Sequence, residues 1–293
     1  MNRPRIEDTY NHLVECEKPA YIYHYTDFAA FEKIVTNGEM WATHRSFLND
    51  RRDLLYGFEA CKQHMSVWKE SRVNDTETRL ADKAIAGLDK NQKESGPFFY
   101  SASFTEEQDG AAQWQIYGQR GQGVSIEFDF QLLEKSLSNE RKKGFHVPWF
   151  WLNRIEYDHE VQKSHVFKLM DAARDCLAYD PEDCVARELS WFLYLLPNRM
   201  FKHRGHLFDH EWKAIPNCSG DDKMKKFYFS RQTVRPYLPM KFDPACICGL
   251  IIGSAAPQPF EELKEALSYF LSQHNLTNVE IKRSEVLLTP PAD

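Results

Sequence analysis

The clearest pattern of apolar and polar positions lies in the range Ala20–Trp41, which reads AYIYHYTDFAAFEKIVTNGEMW. Aromatic and β-branched residues favour a strand from Tyr21 to Tyr25. Apolar residues at helical spacing then predict a short helix, with Thr26 as its N-cap and Asn37-Gly38 as its stop. A second short strand is expected at Met40–Ala42. The apolar face of the helix comprises Phe28, Phe31, Ile34 and Val35.

A polar trio, His24-Tyr25-Thr26, stands where this first strand gives way to the helix. Free backbone N–H groups and the helix dipole point at such a junction, which suits a phosphate-bearing ligand. Polar residues are also common where strands end, so His24 could equally cap a buried strand. The local pattern leaves both interpretations open.

The rest of the pattern predicts a mixture of strands and helices. Strands are expected at 97–104, 124–130, 148–157, 210–215, 226–234, 246–252 and 279–282. Helices are expected at 54–68, 75–88, 111–117, 131–137 and 161–176, after Asp180, and at 259–272. Alternating charge predicts that the helix at 75–88 faces solvent. Because the strands do not alternate with helices one by one, we predict an α+β fold and not a doubly wound sheet. One domain, 1–293, is expected, with helical insertions at about 54–92 and 159–204.

Composition narrows the class of protein. A hydrophobic content of 42% is enough for a core and excludes a disordered chain. The net charge of -6 gives the chain no overall attraction to nucleic acid, although a local basic patch remains compatible with it. Seven irregularly spaced cysteines indicate reduced thiols in the cytoplasm. The first residues lack the apolar core of a signal peptide, and no run is long enough to predict a membrane span.

Familiar motifs for cofactors and metals fit poorly. Gly118, Gly121 and Gly123 do not form a dinucleotide fingerprint, because their spacing is wrong and a strand follows. His203, His206 and His210 with Glu211 lack the spacing of a zinc-protease helix, so we predict no metal. Cys246 and Cys248 lie in an apolar strand and are expected to be buried thiols. A Cys-His hydrolase stays possible, but no cysteine stands in a recognisable nucleophile setting.

Three polar segments remain as candidate chemistry. They are His24-Tyr25-Thr26, the strand segment 100–103 with the downstream Trp114 and Tyr117, and Glu211-Trp212-Lys213. Together they predict a cleft with a histidine that binds a ligand, aromatic rings for stacking and one carboxylate. A single carboxylate can stabilise an oxocarbenium-like centre or act as a general base. Cleavage of a nicotinamide–ribose bond demands little more than that.

Several segments resemble a widespread bacterial family of unknown function: YHYTDFAAFEKIVTNGEMW, FLNDRRD and FFYSASFTEEQDGAAQWQIYGQRGQGVSIEFD. That family shows Tyr-His-Tyr-Thr, Asn-Asp with an acidic residue three positions on, a Cys-Phe-Ser strand, Trp-x-x-Tyr and a Gly-Val-x-Ile-Glu-Phe strand. Its late Glu-x-(Trp/Tyr)-Arg segment is similar to FDHEWKAI here. The chain departs from the pattern at Asp53, Thr105 and Lys213, where Glu, Ser and Arg are usual. A lysine does not replace a guanidinium that binds in a bidentate manner.

The opening of that family is in turn similar to the ADP-ribosyltransferase superfamily, including DNA-modifying toxins of toxin–antitoxin pairs. The resemblance implies an ADP-ribosyltransferase-like core, a mixed split β-sheet with inserted helices. It implies NAD as the substrate and Glu211 as the catalytic carboxylate. His24 would bind the NAD ribose with Thr26 beside it, and Tyr100 would be the stacking ring, with Tyr117 as second choice. The other residues expected along the cleft are Tyr25, Asn49, Asp50, Ser101, Ser103 and Trp114.

The resemblance therefore implies an NAD-dependent ADP-ribosyltransferase that acts as a bacterial toxin or phage-defence effector. Its acceptor would be a nucleic-acid base or a protein side chain, and an antitoxin could be a partner. A basic rim is expected from Arg45, Arg51, Arg52, Lys202, His203 and Arg204. Two alternatives stay open: a non-catalytic nucleotide- or partner-binding module, and a simple NAD glycohydrolase. Glu127 also competes with Glu211 as the working carboxylate, although the superfamily's late carboxylate favours Glu211.

Overall fold

The computed structural model of the protein describes residues 4–44, 47–48, 53–95, 100–139, 150–216, 224–229 and 233–288. The helices are α1 (Ile6–Val14), α2 (Phe28–Asn37), α3 (Asp53–Glu70), α4 (Asp75–Ser95), α5 (Ala111–Ile116), α6 (Phe130–Asn139), α7 (His159–Cys176), α8 (Glu182–Arg199) and α9 (Phe260–Gln273). The strands are β1 (Tyr21–Thr26), β2 (Glu39–His44), β3 (Tyr100–Thr105), β4 (Val124–Asp129), β5 (Phe150–Arg154), β6 (Glu211–Pro216), β7 (Lys226–Phe229), β8 (Val234–Lys241), β9 (Ile247–Ile252) and β10 (Glu280–Arg283). The protein thus combines helices with a mixed sheet, in agreement with the predicted mixture of elements.

The chain divides into two compact units, each built from three segments. The helical unit consists of Met1–Glu17, Arg45–Phe99 and Asn153–Leu207. The sheet unit consists of Lys18–His44, Tyr100–Leu152 and Phe208–Asp293. The helical stretches expected at about 54–92 and 159–204 both fall in the helical unit.

The ten strands form one sheet in the order β10-β9-β4-β1-β3-β2-β8-β7, with β6 paired to β3 and β5 paired to β6. The sheet is mixed, because β10 runs parallel to β9 whereas β1 runs antiparallel to both β4 and β3. Strands that are neighbours in the sheet are therefore often distant along the chain. This order brings residues from the beginning, middle and end of the sequence to one place.

One face of the sheet carries the main core of the sheet unit. Helices α2, α6 and α9 bury their apolar faces there, among them Phe31, Leu133 and Leu267. The strands contribute residues such as Ile22 and Ile126. Each such side chain stabilises the folded state by about 1.5–3 kcal/mol when it leaves water. This core fixes the strands that carry the candidate site.

Helix α2 begins one residue later than the sequence suggested. Thr26 is the last residue of β1, and Asp27 is the N-cap, since its carboxylate accepts a hydrogen bond from the backbone N–H of Ala30 at 2.6 Å. The prediction of Thr26 as the N-cap was therefore wrong, because the next residue, Asp27, is a stronger N-cap and takes that role. Gly38 ends α2 as predicted, with φ at 56° and its N–H bonded to the Ile34 carbonyl.

The segment expected as one strand at 226–234 is instead part of a hairpin. β7 pairs antiparallel with β8, from Lys226 opposite Tyr237 to Phe229 opposite Val234. Residues 230–232, between the two strands, lie outside the described residues. The polar sequence between Phe229 and Val234 interrupts the aromatic pattern of the expected single strand.

The helical unit has its own core, and α4 takes part in it. The prediction that this helix faces solvent was wrong for one side of it, because Leu80, Ala84 and Leu88 are buried at helical spacing. Gly87 of α4 lies so close to α8 that a Cβ there would stand 2.7 Å from the Ser190 side chain. The charged residues of α4 occupy its remaining surface. Among the described helices, none has both the length and the apolar character that crossing a bilayer requires.

The buried His64 of α3 packs against the exposed His159 at the start of α7. The rings of His64 and His159 have centroids 4.5 Å apart, and His64 Nε2 has no hydrogen-bond partner among the described residues. Burial is the main cause that lowers the pKa of His64 to about 4; His159 and Lys163 contribute to the shift, and the charge of Glu160 opposes it. The folded state therefore holds His64 in its neutral form.

We predict that the His64→Phe variant is less sensitive to acid than the wild type. The ordinary pKa of 6.5 exceeds the folded value, so below pH 6.5 the unfolded chain binds a proton that the folded protein does not. The free energy of unfolding of the wild type should therefore fall as pH falls below 6.5. The slope is at most about 1.4 kcal/mol per pH unit, and the loss that His64 causes reaches ~2 kcal/mol at pH 5. Urea unfolding at pH 7 and pH 5 measures this difference. The exposed His12→Phe variant serves as control, and equal pH slopes in His64→Phe and wild type would contradict the prediction.

Candidate functional site

His24 occupies the point where β1 and β3 separate. β1 pairs with β4 along all six of its residues, but with β3 only where Tyr23 stands opposite Thr105. Beyond that pair the His24 ring reaches the β3 backbone itself, with Nδ1 2.9 Å from the carbonyl oxygen of Ser103. The ring also lies 5.8 Å from the ring of Phe104, on the core face of the sheet. We call this point, where the single β1–β3 pair ends, the fork.

The contact with Ser103 fixes the tautomer of His24. A carbonyl oxygen only accepts, so Nδ1 carries the proton and donates it, and Nε2 keeps its lone pair. Burial lowers the pKa of His24, and the bond to Ser103 opposes this shift only in part. The imidazole is therefore neutral at neutral pH and offers one acceptor. Such a group accepts a hydrogen bond from a sugar hydroxyl better than it binds a phosphate.

Four residues on neighbouring strands form what we call the polar row: Glu127, Tyr23, Thr105 and Glu211. Their Cα atoms are register partners across β4, β1, β3 and β6. Paired residues of antiparallel strands share a face, and three strand spacings place the two carboxylate residues about 14 Å apart. His24 follows Tyr23 directly in an extended strand, so its side chain lies on the opposite face of the sheet. Both candidate carboxylates thus lie across the sheet from the histidine.

Glu211 is enclosed at one end of this row. It is only 6% exposed, and its carboxylate lies 3.7 Å from Nζ of the equally buried Lys213. The neighbouring Thr105 hydroxyl donates to the carbonyl oxygen of Asp209 at 2.7 Å, which holds the entry to β6 against β3. A buried ion pair depends on both partners, because removal of one leaves an uncompensated charge.

Glu127, at the other end of the row, is surrounded by hydrogen-bond donors. Its carboxylate accepts from the Tyr23 hydroxyl, from Gln108 Nε2 at 3.3 Å and from Cys248 Sγ at 3.4 Å. Burial, and then the Glu127 charge, raise the pKa of Tyr23 and raise the pKa of Cys248 to about 12. Both groups therefore stay protonated at neutral pH. A protonated Cys248 is a poor nucleophile, and burial likewise raises the pKa of Cys246.

Tyr25 and Trp114 are engaged in holding the loop after β3. The Tyr25 hydroxyl donates to the Glu107 carbonyl at 2.9 Å and accepts from the Gly110 N–H at 3.0 Å. Trp114 is fully buried, packs edge-on against Tyr25 with centroids 4.8 Å apart, and donates from Nε1 to Asp109 at 2.5 Å. Both side chains therefore have structural partners. Tyr117, the third aromatic candidate in this region, is exposed at the end of α5.

The remaining candidates on β3 divide between the two faces. Tyr100 is buried in the core of the sheet unit, with its ring 5.0 Å from that of His44. Ser101 is nearly buried and Ser103 is exposed, and Ser103 is the register partner of Lys213. The structure therefore places Ser103 on the face of Glu211, while its carbonyl oxygen binds His24. Ser103 connects the two parts of the candidate site.

The remaining predictions concern the residues near position 50, the basic rim and a metal site. Asn49 and Asp50, and with them Arg45, Arg51 and Arg52 of the expected basic rim, lie outside the described residues. Lys202 was wrongly placed on that rim, because its side chain is buried. Within the part of the chain that the structure describes, no three His, Cys, Asp or Glu side chains are grouped so that they could hold a metal ion.

Two residues of this region escaped the sequence reasoning. Tyr23 was counted only as a strand residue, yet it links Glu127 to the row. Asp109 was given no role from the sequence, yet its carboxylate accepts hydrogen bonds from Trp114, from the Ser284 hydroxyl at 2.6 Å and from the Glu285 N–H at 2.7 Å. These contacts join residues up to 176 positions apart. The strand pattern could have suggested Tyr23, whereas no local signal marks Asp109.

Residues 113–212 match the model of a family described as a protein of unknown function (DUF2971). The matched segment includes Trp114, Tyr117, Glu127 and Glu211, and it begins after His24 and Tyr100. The description names no activity and makes no link to ADP-ribosyl transfer. No curated protein and no solved structure matches the chain.

We predict that Tyr25→Phe destabilises the sheet unit without removing a ligand contact. The substitution deletes one hydroxyl and leaves both the Glu107 carbonyl and the Gly110 N–H without this partner, at a cost of about 2 kcal/mol. Urea unfolding measures the loss. Tyr21→Phe on the same strand is the control, because the Tyr21 side chain is exposed and should change stability by less than about 0.5 kcal/mol. Equal free energies of unfolding for the two variants would show that the hydrogen bonds of the Tyr25 hydroxyl do not stabilise the fold.

Proposed function

We propose that this protein is an NAD-dependent ADP-ribosyltransferase that acts in the cytoplasm as a toxin or phage-defence effector. The observation that carries the proposal is the state of His24. Its imidazole is neutral, its Nδ1 is committed to Ser103, and its Nε2 is left as an acceptor at the fork. A ribose hydroxyl is a donor that fits this acceptor. The finer assignment, an ADP-ribosyltransferase-like split sheet with an antitoxin as a possible partner, rests on the resemblance of the opening segment.

The proposed reaction asks little of the protein beyond position and charge. The bond between the ribose C1′ and the nicotinamide nitrogen breaks, and nicotinamide leaves with the electron pair. The acceptor, a nucleic-acid base or a protein side chain, forms the new bond to C1′ and loses a proton. A carboxylate stabilises the positive charge that develops on the sugar, or takes the proton. Glu211 is our candidate for this role, and Glu127 is the alternative.

The opposite faces of His24 and Glu211 set a condition on this proposal. A ligand that touches both has to pass between β1 and β3 beyond the single pair of Tyr23 and Thr105. The same geometry favours a second candidate, a non-catalytic module that binds a nucleotide through His24 alone. Binding without release of nicotinamide would identify this second function.

The variant His24→Asn separates a ligand contact from a structural one. An asparagine amide can donate to the Ser103 carbonyl much as Nδ1 does, but it does not reproduce the acceptor at Nε2. We expect NAD to bind His24→Asn at least tenfold more weakly in calorimetric titration, with thermal stability close to that of the wild type. Unchanged affinity for NAD would remove His24 from the site.

For the carboxylates, we predict that Glu211→Gln lowers nicotinamide release by about 100-fold or more, as loss of a group that stabilises transition-state charge does. Glu127→Gln should lower release by less than about tenfold. Because Glu211→Gln also removes the carboxylate charge beside the buried Lys213, the double variant Glu211→Gln/Lys213→Met tests whether lost stability explains the lost release. A larger loss of nicotinamide release in Glu127→Gln than in Glu211→Gln would assign the role to Glu127.

If radiolabelled NAD releases nicotinamide but labels no RNA, DNA or protein, the activity is NAD hydrolysis.

A further inference from the structure

Three aromatic rings lie side by side on one face of β2, β8 and β7. We call Trp41, Tyr237 and Tyr228 the aromatic strip. Trp41 stacks on Tyr237 with centroids 4.4 Å apart and planes inclined by 26°, and its centroid lies 5.3 Å from that of Tyr228. The register agrees with these contacts, because Tyr237 stands opposite Thr43 of β2 and opposite Lys226 of β7. The three rings thus form a continuous surface across three strands.

The strip is both open and rigidly supported. Trp41 is 36% exposed and Tyr228 is 37% exposed, so about a third of each residue is accessible to solvent. The intervening residues Leu238 and Met240 of β8 point to the other face and are fully buried in the core. Cross-strand aromatic pairs also stabilise sheets, but that role does not require rings exposed to this degree.

Basic side chains surround the strip. Lys226 and Arg235 are exposed and share its face, since Lys226 stands opposite Tyr237 and Arg235 stands opposite Tyr228. Lys241, at the end of β8, is exposed on the same face opposite Glu39. Glu39, half-buried, lies 3.6 Å from Nζ of Lys226. The sequence 223–241 contains six Lys and Arg and no Asp or Glu, in a chain whose net charge is -6.

We propose that this face binds single-stranded nucleic acid. Bases would stack on the exposed rings of Trp41 and Tyr228, and phosphates would lie against Lys226, Arg235 and Lys241. Aromatic rings interleaved with basic side chains on a rigid sheet are the combination by which proteins hold unpaired strands, since every base has a face to stack and every linkage has a charge. A duplex hides its base faces and would use only the charges. An acidic protein segment would likewise find the charges but not use the stacking surfaces.

The binding itself follows from this face alone. The identification of the bound strand as the acceptor of ADP-ribose rests on the proposed function, and it would choose nucleic acid over protein as the acceptor. All residues of the strip and its basic border belong to the sheet unit, as does His24.

Fluorescence anisotropy with labelled oligonucleotides of about 12 residues, without NAD, tests the proposal. The probes are oligo-U RNA, oligo-dT DNA, a DNA duplex of equal length and a poly-glutamate peptide. We expect both single strands to bind the wild type with dissociation constants on the order of 10⁻⁶–10⁻⁴ M, and more weakly as salt rises. The tighter of the two single strands indicates which nucleic acid the face prefers. Absence of binding at low salt would overturn the proposal, as would equal binding of the duplex or of poly-glutamate.

Variants assign the binding to the strip. Trp41→Ala and Tyr228→Ala should each weaken single-strand binding by about tenfold, whereas Trp41→Phe should remain close to wild type. Lys226→Gln and Arg235→Gln should each lower the slope of log affinity against log salt by about one. The matched controls are Tyr269→Ala and Lys264→Gln on α9, an exposed aromatic residue and an exposed basic residue of the same unit. Unchanged binding by Trp41→Ala and Tyr228→Ala would overturn the proposal.

The test of single-strand binding can be distinguished from the test of the proposed reaction with NAD. His24→Asn should bind the single strands as the wild type does. Strand binding without NAD turnover would sustain this inference and remove the proposed function. NAD turnover with no strand binding would do the reverse.

Discussion

Side-chain alternation along β1 determines how the sheet unit divides its polar groups. β1 is paired throughout its length with β4, so none of its residues can turn over without breaking that ladder. His24 is thereby held on the core face, and Tyr23 and Tyr25 on the other. The single pair with β3 then aligns Tyr23 with Thr105 and, through β3, with Glu211. A shift of one residue in the register of β1 would exchange its two faces, so that Tyr23 and Tyr25 would enter the core in place of Ile22 and His24.

The imidazole, phenol and thiol groups near β1 are held in their neutral form, which follows from the same constraint. A strand in the middle of a sheet has little water around it, and burial disfavours the charged form of an imidazole, a phenol and a thiol alike. His24, Tyr23 and Cys248 show this effect. The charges that remain nearby belong to carboxylates with identified partners. The site therefore offers directional hydrogen bonds on one face and negative charge on the other.

Local pattern predicted the elements around β1 well. The strand, the helix after it, the left-handed Gly38 and the return strand all follow from residue types within about twenty positions, where helix stops and strand alternation are informative. Local pattern does not determine where Glu211 lies relative to His24, because their relative position depends on the pairing of β6 with β3 and of β3 with β1. Such pairing of distant segments leaves no local signal. The many charged residues of α4 led to the wrong prediction that the whole helix faces solvent. Leu80, Ala84 and Leu88 form a narrow apolar stripe within this polar sequence.

The outermost hairpin has a consequence for the behaviour of the protein in solution. Among the described residues β7 pairs only with β8, so its other edge presents backbone donors and acceptors, and Phe227 and Phe229 are exposed on the side away from the strip. An exposed edge with apolar side chains is a template for self-association. Mutual repulsion among the lysines beside it opposes the approach of a second copy, and salt weakens that repulsion. A rise in ionic strength therefore favours association along this edge, and at the proposed binding face it would also release a bound polyanion.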